Sequence, residues 1–156
     1  MPLLHLYVAG GFVLLSLFYN SVLNGFINKN IILITVVLFS LFTVINSSFI
    51  QKIYVYNSYA LTIESIIVII FSLSTYMLLL NDIVKEKNTY TIKSLNWINS
   101  GLFIYYSSGL LIFYFGNLIT AFSPSYLVEY TWVLHAFFST VMYACFFTGL
   151  WKQPKN

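Results

Sequence analysis

The segment SYALTIESIIVIIFSLSTYMLLL, residues 58–80, decides the fold. It is apolar around its whole circumference, and Glu64 is its sole charged side chain. About 20 helical residues, rising about 1.5 Å each, cross a hydrocarbon core of about 30 Å. An unpaired backbone group in lipid costs several kcal/mol, so a run of this length is expected to be a membrane-spanning helix. It lacks the strict alternation of an outer-membrane barrel strand.

Four more runs of the same kind flank it, at residues 3–23, 31–50, 97–119 and 126–151. The expected fold is therefore all-α: a polytopic transmembrane bundle of five helices forming one domain. Composition agrees. Charged residues make up 7% of the chain, against about 25% in ordinary soluble domains. A chain of 156 residues, 60% hydrophobic, has too little interior to hide that surface from water. The first run has no basic stretch ahead of it and is as long as a full span, so it reads as a helix and not as a cleavable leader. Cys145, the lone cysteine, lies in an apolar run and is expected to pack as a small hydrophobe.

The breaks fall at Asn24-Gly25 with Asn28-Lys29-Asn30, at Gln51-Lys52 with Asn57-Ser58, across Asn81–Asn96, and at Ser123-Pro124-Ser125. The second and fourth are tight and imply antiparallel hairpins; the third is the sizeable loop. Lysine distribution gives a direction. Lys29, Lys85, Lys87, Lys93, Lys152 and Lys155 fall on one side, and only Lys52 on the other. By the positive-inside rule the N-terminus is expected outside and the C-terminus in the cytoplasm. Tyr54, Tyr56, Tyr59, Tyr126, Tyr130 and Trp132 then belong to the outer interface, and Tyr19, Tyr90, Trp97 and Trp151 to the inner one. Amphipathic rings favour those levels.

Ionisable groups inside a span are costly and mark functional sites by default. His5, Glu64 and His135 come early in helices that all enter from outside. At about 1.5 Å per residue they lie about 5, 10 and 13 Å below the outer boundary. Helix two brings Asn46, Ser47 and Ser48 to the same level, and helix four brings Asn117. An outward-facing polar pocket of His5, Asn46, Glu64, Asn117 and His135 is the candidate ligand-binding site.

The polar stripes have a plainer explanation as interhelical seams: Thr131, His135 and Ser139 on helix five, and Ser58, Ser65 and Ser72 on helix three. Asn99, Tyr106, Gly109 and Gly116 share a face of helix four, where the glycines would admit a neighbouring helix. Glu64 has three readings: a neutral acid bonding a neighbouring helix, a ligand or proton site beside a histidine, or a member of a metal site with His5 and His135. Two histidines and a carboxylate can bind zinc, but no His-x-x-x-His pair supports a metal, and none is expected. Nor is a cofactor. There is no Gly-x-Ser-x-Gly elbow and no glycine-rich phosphate loop, so no catalytic residue is assigned. The small, dispersed net charge of +3 gives no reason to expect a nucleic-acid partner.

Several stretches carry a family resemblance: Pro2-Leu3-Leu4-His5-Leu6-Tyr7, Leu15-Ser16-Leu17-Phe18-Tyr19, Ile45-Asn46-Ser47, Asn57-Ser58-Tyr59-Ala60, Trp97-Ile98-Asn99-Ser100 with Ile104-Tyr105, and Trp132-Val133-Leu134-His135. With Gly149-Leu150-Trp151-Lys152 they resemble a group of small, uncharacterised multi-pass proteins of the bacterial inner membrane, spread over nearly the whole chain. The resemblance implies seven helices in such proteins, of which these five match the last, so two more are expected ahead of Met1 in a full-length relative. It implies no activity. The leading expectation is a membrane sensory or ligand-binding module. Its tail after Trp151 is short, so signalling would need a separate protein partner. An intramembrane enzyme or transporter using the same cluster, or a structural membrane subunit without a ligand, are the alternatives.

Overall fold

In the computed structural model, which describes residues 2–81 and 89–153, five long helices follow one another. They are α1 (Pro2–Val22), α2 (Lys29–Ile45, continued by a π-helical turn, Asn46–Ile50), α3 (Ser58–Leu80), α4 (Thr89–Phe122) and α5 (Ser125–Trp151). All five are long and apolar enough to cross a membrane. No sheet forms among the described residues; Asn24 and Ile27 make an isolated bridge. Asp82, Lys85, Glu86 and Lys87, the charged part of the expected third loop, lie outside the described residues, as does Lys155.

The turns follow local chemistry. Gly25 reverses the chain after α1 at φ +83°, a left-handed conformation that glycine adopts without a Cβ clash. Asn28 then caps α2, its Oδ1 accepting from Asn30 N–H at 3.0 Å, as N-cap asparagines do. Pro124 opens α5 from an extended backbone, and its carbonyl accepts the first bonds of the helix, from Leu127 and Val128.

α4 is the centre of the bundle, packed along α3 on one side and α5 on the other, while α1 packs against α2 and α3. The core holds Val8, Phe12 and Tyr19 of α1, Phe39 of α2, Val68 and Phe71 of α3, and Leu102 and Phe113 of α4. Phe12 and Phe39 join α1 to α2, their ring centroids 4.1 Å apart. Large apolar side chains cover the outside: Leu3, Leu14, Leu38, Phe49, Leu80, Phe122, Val133 and Phe147 are all exposed. Contiguous apolar surface on that scale is a liability in water and suits a lipid solvent.

Two expectations change. α4 starts at Thr89, not at residue 97, so the second half of the expected third loop is helix. Its 34 residues give about 51 Å at about 1.5 Å each, well beyond a core of about 30 Å. Packing accounts for the extension: Ser94 is buried, and its carbonyl and Ile98 lie against Gly149 of α5. Lys152 Nζ sits 4.8 Å from the centroid of Trp97 and fastens the same end. The second change concerns the glycines of α4. Gly109 makes room for the ring of Phe113, and Gly116 for that of Tyr56. Close helix approach occurs instead at Gly101, facing Met142 and Cys145, and at Gly149. Cys145 is buried in this seam.

Candidate functional site

The five residues expected to share one pocket fall into two groups. His5, Asn46 and Asn117 meet at the end of the bundle that carries the α2–α3 turn. The π-helical turn closes α2 there with a 2.7 Å bond from Gln51 N–H to Asn46 carbonyl. Such a turn rotates the side chains after it relative to an α-helix, and Asn46 points inward, fully buried. Its Nδ2 donates to Asn57 Oδ1 at 2.8 Å and to Gln51 Oε1 at 3.2 Å. Gln51 Nε2 donates to Ser58 Oγ at 2.8 Å, and Asn117 Nδ2 donates to the same oxygen at 2.9 Å and to Tyr56 carbonyl at 3.1 Å.

His5 joins from α1. Its Nε2 faces Val55 carbonyl at 3.3 Å, and its Nδ1 lies 2.7 Å from Ser47 Oγ. A carbonyl only accepts, so Nε2 carries the proton and donates, leaving Nδ1 to accept from the Ser47 hydroxyl in the neutral ring. These amides and hydroxyls bind residues 50–58 to α1, α2, α3 and α4. Tyr56 completes the lid, its ring seated on Gly116 and 5.4 Å edge-on from Trp132. Burial pushes its phenol above the ordinary range.

Glu64 and His135 form the other group, deeper in the bundle. Glu64 is buried in α3, and Tyr106 of α4 donates its hydroxyl to Oε1 at 3.2 Å. His135 of α5 meets Tyr105 instead, with Nε2 3.1 Å from the phenol oxygen. The rings of Tyr105, Phe113 and Trp132 surround the imidazole edge-on, with centroids 5.3, 5.3 and 5.9 Å away. Neither histidine hydrogen-bonds Glu64. Tyr7 of α1 lies within electrostatic range of Glu64, of Tyr105 and of Tyr143 of α5, and Tyr7 and Tyr143 are largely exposed. The phenols of Tyr7, Tyr105 and Tyr106 thus stand near a buried carboxyl that has no cationic partner among the described residues. No three His, Cys, Asp or Glu side chains come together among the described residues in a way that could hold a metal ion.

Sequence reading passed over Gln51, Asn57, Tyr7, Tyr105 and Tyr143. Gln51 and Asn57 look like turn punctuation. Tyr105 lies mid-span and Tyr7 and Tyr143 face outward, so nothing in the spacing sets them apart from the other tyrosines of the spans. The serine stripe of α3 is a seam: Ser58, Ser65 and Ser72 are all buried, and Ser72 and Asn99 exchange bonds with each other's backbone carbonyls across α3 and α4. The stripe of α5 also faces a neighbour: Thr131, His135 and Ser139 are half-buried, and His135 and Ser139 both meet the Tyr105 hydroxyl of α4.

No protein-family model matches the chain, and neither a curated protein nor a solved structure matches it.

Proposed function

We propose that the protein is a five-span membrane sensory or ligand-binding module whose ligand contacts Glu64, with the N-terminus outside and the C-terminus in the cytoplasm. Lysine asymmetry supports that orientation, placing the α2–α3 turn and the Glu64 group in the outer half of the bilayer. The resemblance to small multi-pass bacterial proteins supports the inner membrane as its location. Any signal passes to a separate membrane or cytoplasmic protein.

One observation carries the proposal: a buried carboxyl with a single phenolic donor, Tyr106, with the phenols of Tyr7 and Tyr105 within electrostatic range and no cationic partner among the described residues. Aromatic faces attract cations, and an unpaired buried carboxyl favours a ligand that brings a charge or a hydrogen-bond donor. A small amphiphilic amine has that chemistry. Tyr7 is exposed on α1 and within electrostatic range of Glu64, so a ligand entering from that side would pass it. His5, Asn46 and Asn117 are committed to holding the turn and act as its support, not as ligand contacts.

Phenethylamine and 2-phenylethanol, added separately to the purified protein, test the proposal. The amine is expected to raise the melting temperature and the alcohol to leave it unchanged; Glu64→Gln and Tyr106→Phe should fold normally and lose the response. Equal responses to the two compounds, or an amine response that survives Glu64→Gln, would sink it. A structural subunit is the second reading, favoured by the hydrogen bonds that tie the His5–Asn117 group to the turn. It gains if Glu64→Gln instead lowers the melting temperature with no compound present.

A further inference from the structure

A second feature lies on the other side of α1, at the end where α1 turns into α2. A groove of about 470 Å3 runs between these helices. Val13 and Leu17 of α1 and Ile32, Leu33 and Val36 of α2 form its apolar walls. Asn20, near the end of α1, and Lys29 and Asn30, which open α2, line it at the polar end. Among the described residues Lys29 is the one charged residue lining it, and the first turn of α2 adds the positive end of a helix dipole.

Ser16 supplies an independent sign that the groove takes a polar occupant. Hydroxyls within the spans of this protein commonly bond the carbonyl one turn earlier, as Thr35, Ser65, Ser74, Thr75 and Thr120 do. Ser16 lines the groove, is 2% exposed, and its Oγ has no partner within the protein. A buried hydroxyl left unpaired is costly. A fully apolar occupant, such as another helix's leucine face, would leave that cost in place and bring nothing to Lys29.

We propose that this groove seats one anionic phospholipid. Its phosphate lies at Lys29 and the first turn of α2, its glycerol ester oxygens meet Asn20 and Ser16, and one acyl chain lies along Val13, Leu17, Leu33 and Val36. The volume is within the range of small-molecule sites, about 300–1,000 Å3, and the order of groups from the helix ends inward matches that of a lipid from headgroup to tail.

Native mass spectrometry of the full chain in detergent, titrated with dioleoylphosphatidylglycerol or dioleoylphosphatidylcholine, tests this. The anionic lipid should bind about tenfold more tightly, because phosphatidylcholine carries the same phosphate but adds a quaternary ammonium that Lys29 and the positive end of α2 repel. Lys29→Gln should remove that preference, and Lys52→Gln, at the far end, should keep it. Val36→Trp, which fills the groove with the charge intact, should reduce binding of the anionic lipid. Leu17→Trp on the opposite wall replaces it if Val36→Trp fails to give a cooperative melt. No preference between the lipids, or a preference that survives Lys29→Gln, would overturn the proposal. Full binding by the groove-filling variant would also overturn it, assigning the lysine effect to loose annular lipid.

Discussion

Gly101→Ala and Gly149→Ala are each expected to lower stability by about 1–3 kcal/mol, the usual cost of overpacking a filled interior. A Cβ on Gly101 would stand 2.8 Å from Cys145 Cβ and 3.0 Å from Met142 carbonyl oxygen, both fixed to the backbone of α5. On Gly149 it would stand 2.6 Å from Ile98 Cγ1, which can turn aside, and 2.9 Å from Ser94 carbonyl oxygen, which cannot. Relief therefore requires α4 and α5 to move apart, and α5 packs chiefly on α4, where Tyr105 meets His135 and Ser139 and Lys152 meets Trp97. Gly10→Ala and Gly11→Ala are the controls. Nothing lies within 4 Å of either new Cβ, and alanine is the better helix former, so these variants should melt at or above the parent. Thermal melts in detergent read all four. Melts for Gly101→Ala and Gly149→Ala that match the controls would mean that the two helices do not approach as described.

Asn46→Leu is expected to cost about 1–2 kcal/mol and to release the turn at residues 50–58. Two magnitudes compete. Single interhelical hydrogen bonds in bilayers average only about 0.6 kcal/mol, because the separated helices find other partners. Stranding a buried acceptor costs about 1–3 kcal/mol. The second dominates because Asn57 Oδ1 takes its bond from Asn46 and has no other donor, whereas Gln51 Oε1 keeps Tyr59 N–H at 3.3 Å. Removing Asn46 Oδ1, itself buried without a partner, offsets part of the loss. Proteolysis reports the effect most directly: cleavage within residues 50–58 should accelerate in Asn46→Leu and stay slow in Ser48→Ala, which touches none of these amides. Unchanged cleavage would show that the amide group is not what fastens the turn.

Membrane-spanning helices were legible because their signal is one-dimensional. Length and apolarity locate a span without any knowledge of its neighbours, and the structure has helices over all five expected segments. The early start of α4 was not legible, because Thr89, Thr91, Lys93 and Asn96 look like a solvated loop when the partner surface on Gly149 is unknown. The candidate site divides along the same line. Depth can be counted in residues, and all five chosen side chains do lie toward the end that carries the α2–α3 turn. The direction in which each points around its helix cannot be counted. It depends on the π-helical turn at Asn46 and on crossing geometry, and these separate Glu64 and His135 from His5, Asn46 and Asn117. Tyr105 and Tyr106 show the difficulty at its plainest: adjacent in sequence, they take His135 on one side and Glu64 on the other.

The central claim is a five-span chain with its polar side chains gathered toward the outer face. Single cysteines at Lys52, Ser123, Asn24 and Gln153, placed in a Cys145→Ala background and treated with a membrane-impermeant maleimide on intact cells, test it most directly. Lys52→Cys and Ser123→Cys should be labelled at once, and Asn24→Cys and Gln153→Cys only after the membrane is opened. Labelling of all four positions from one side would contradict the spans, and the reverse pattern would put the Glu64 group in the cytoplasmic half.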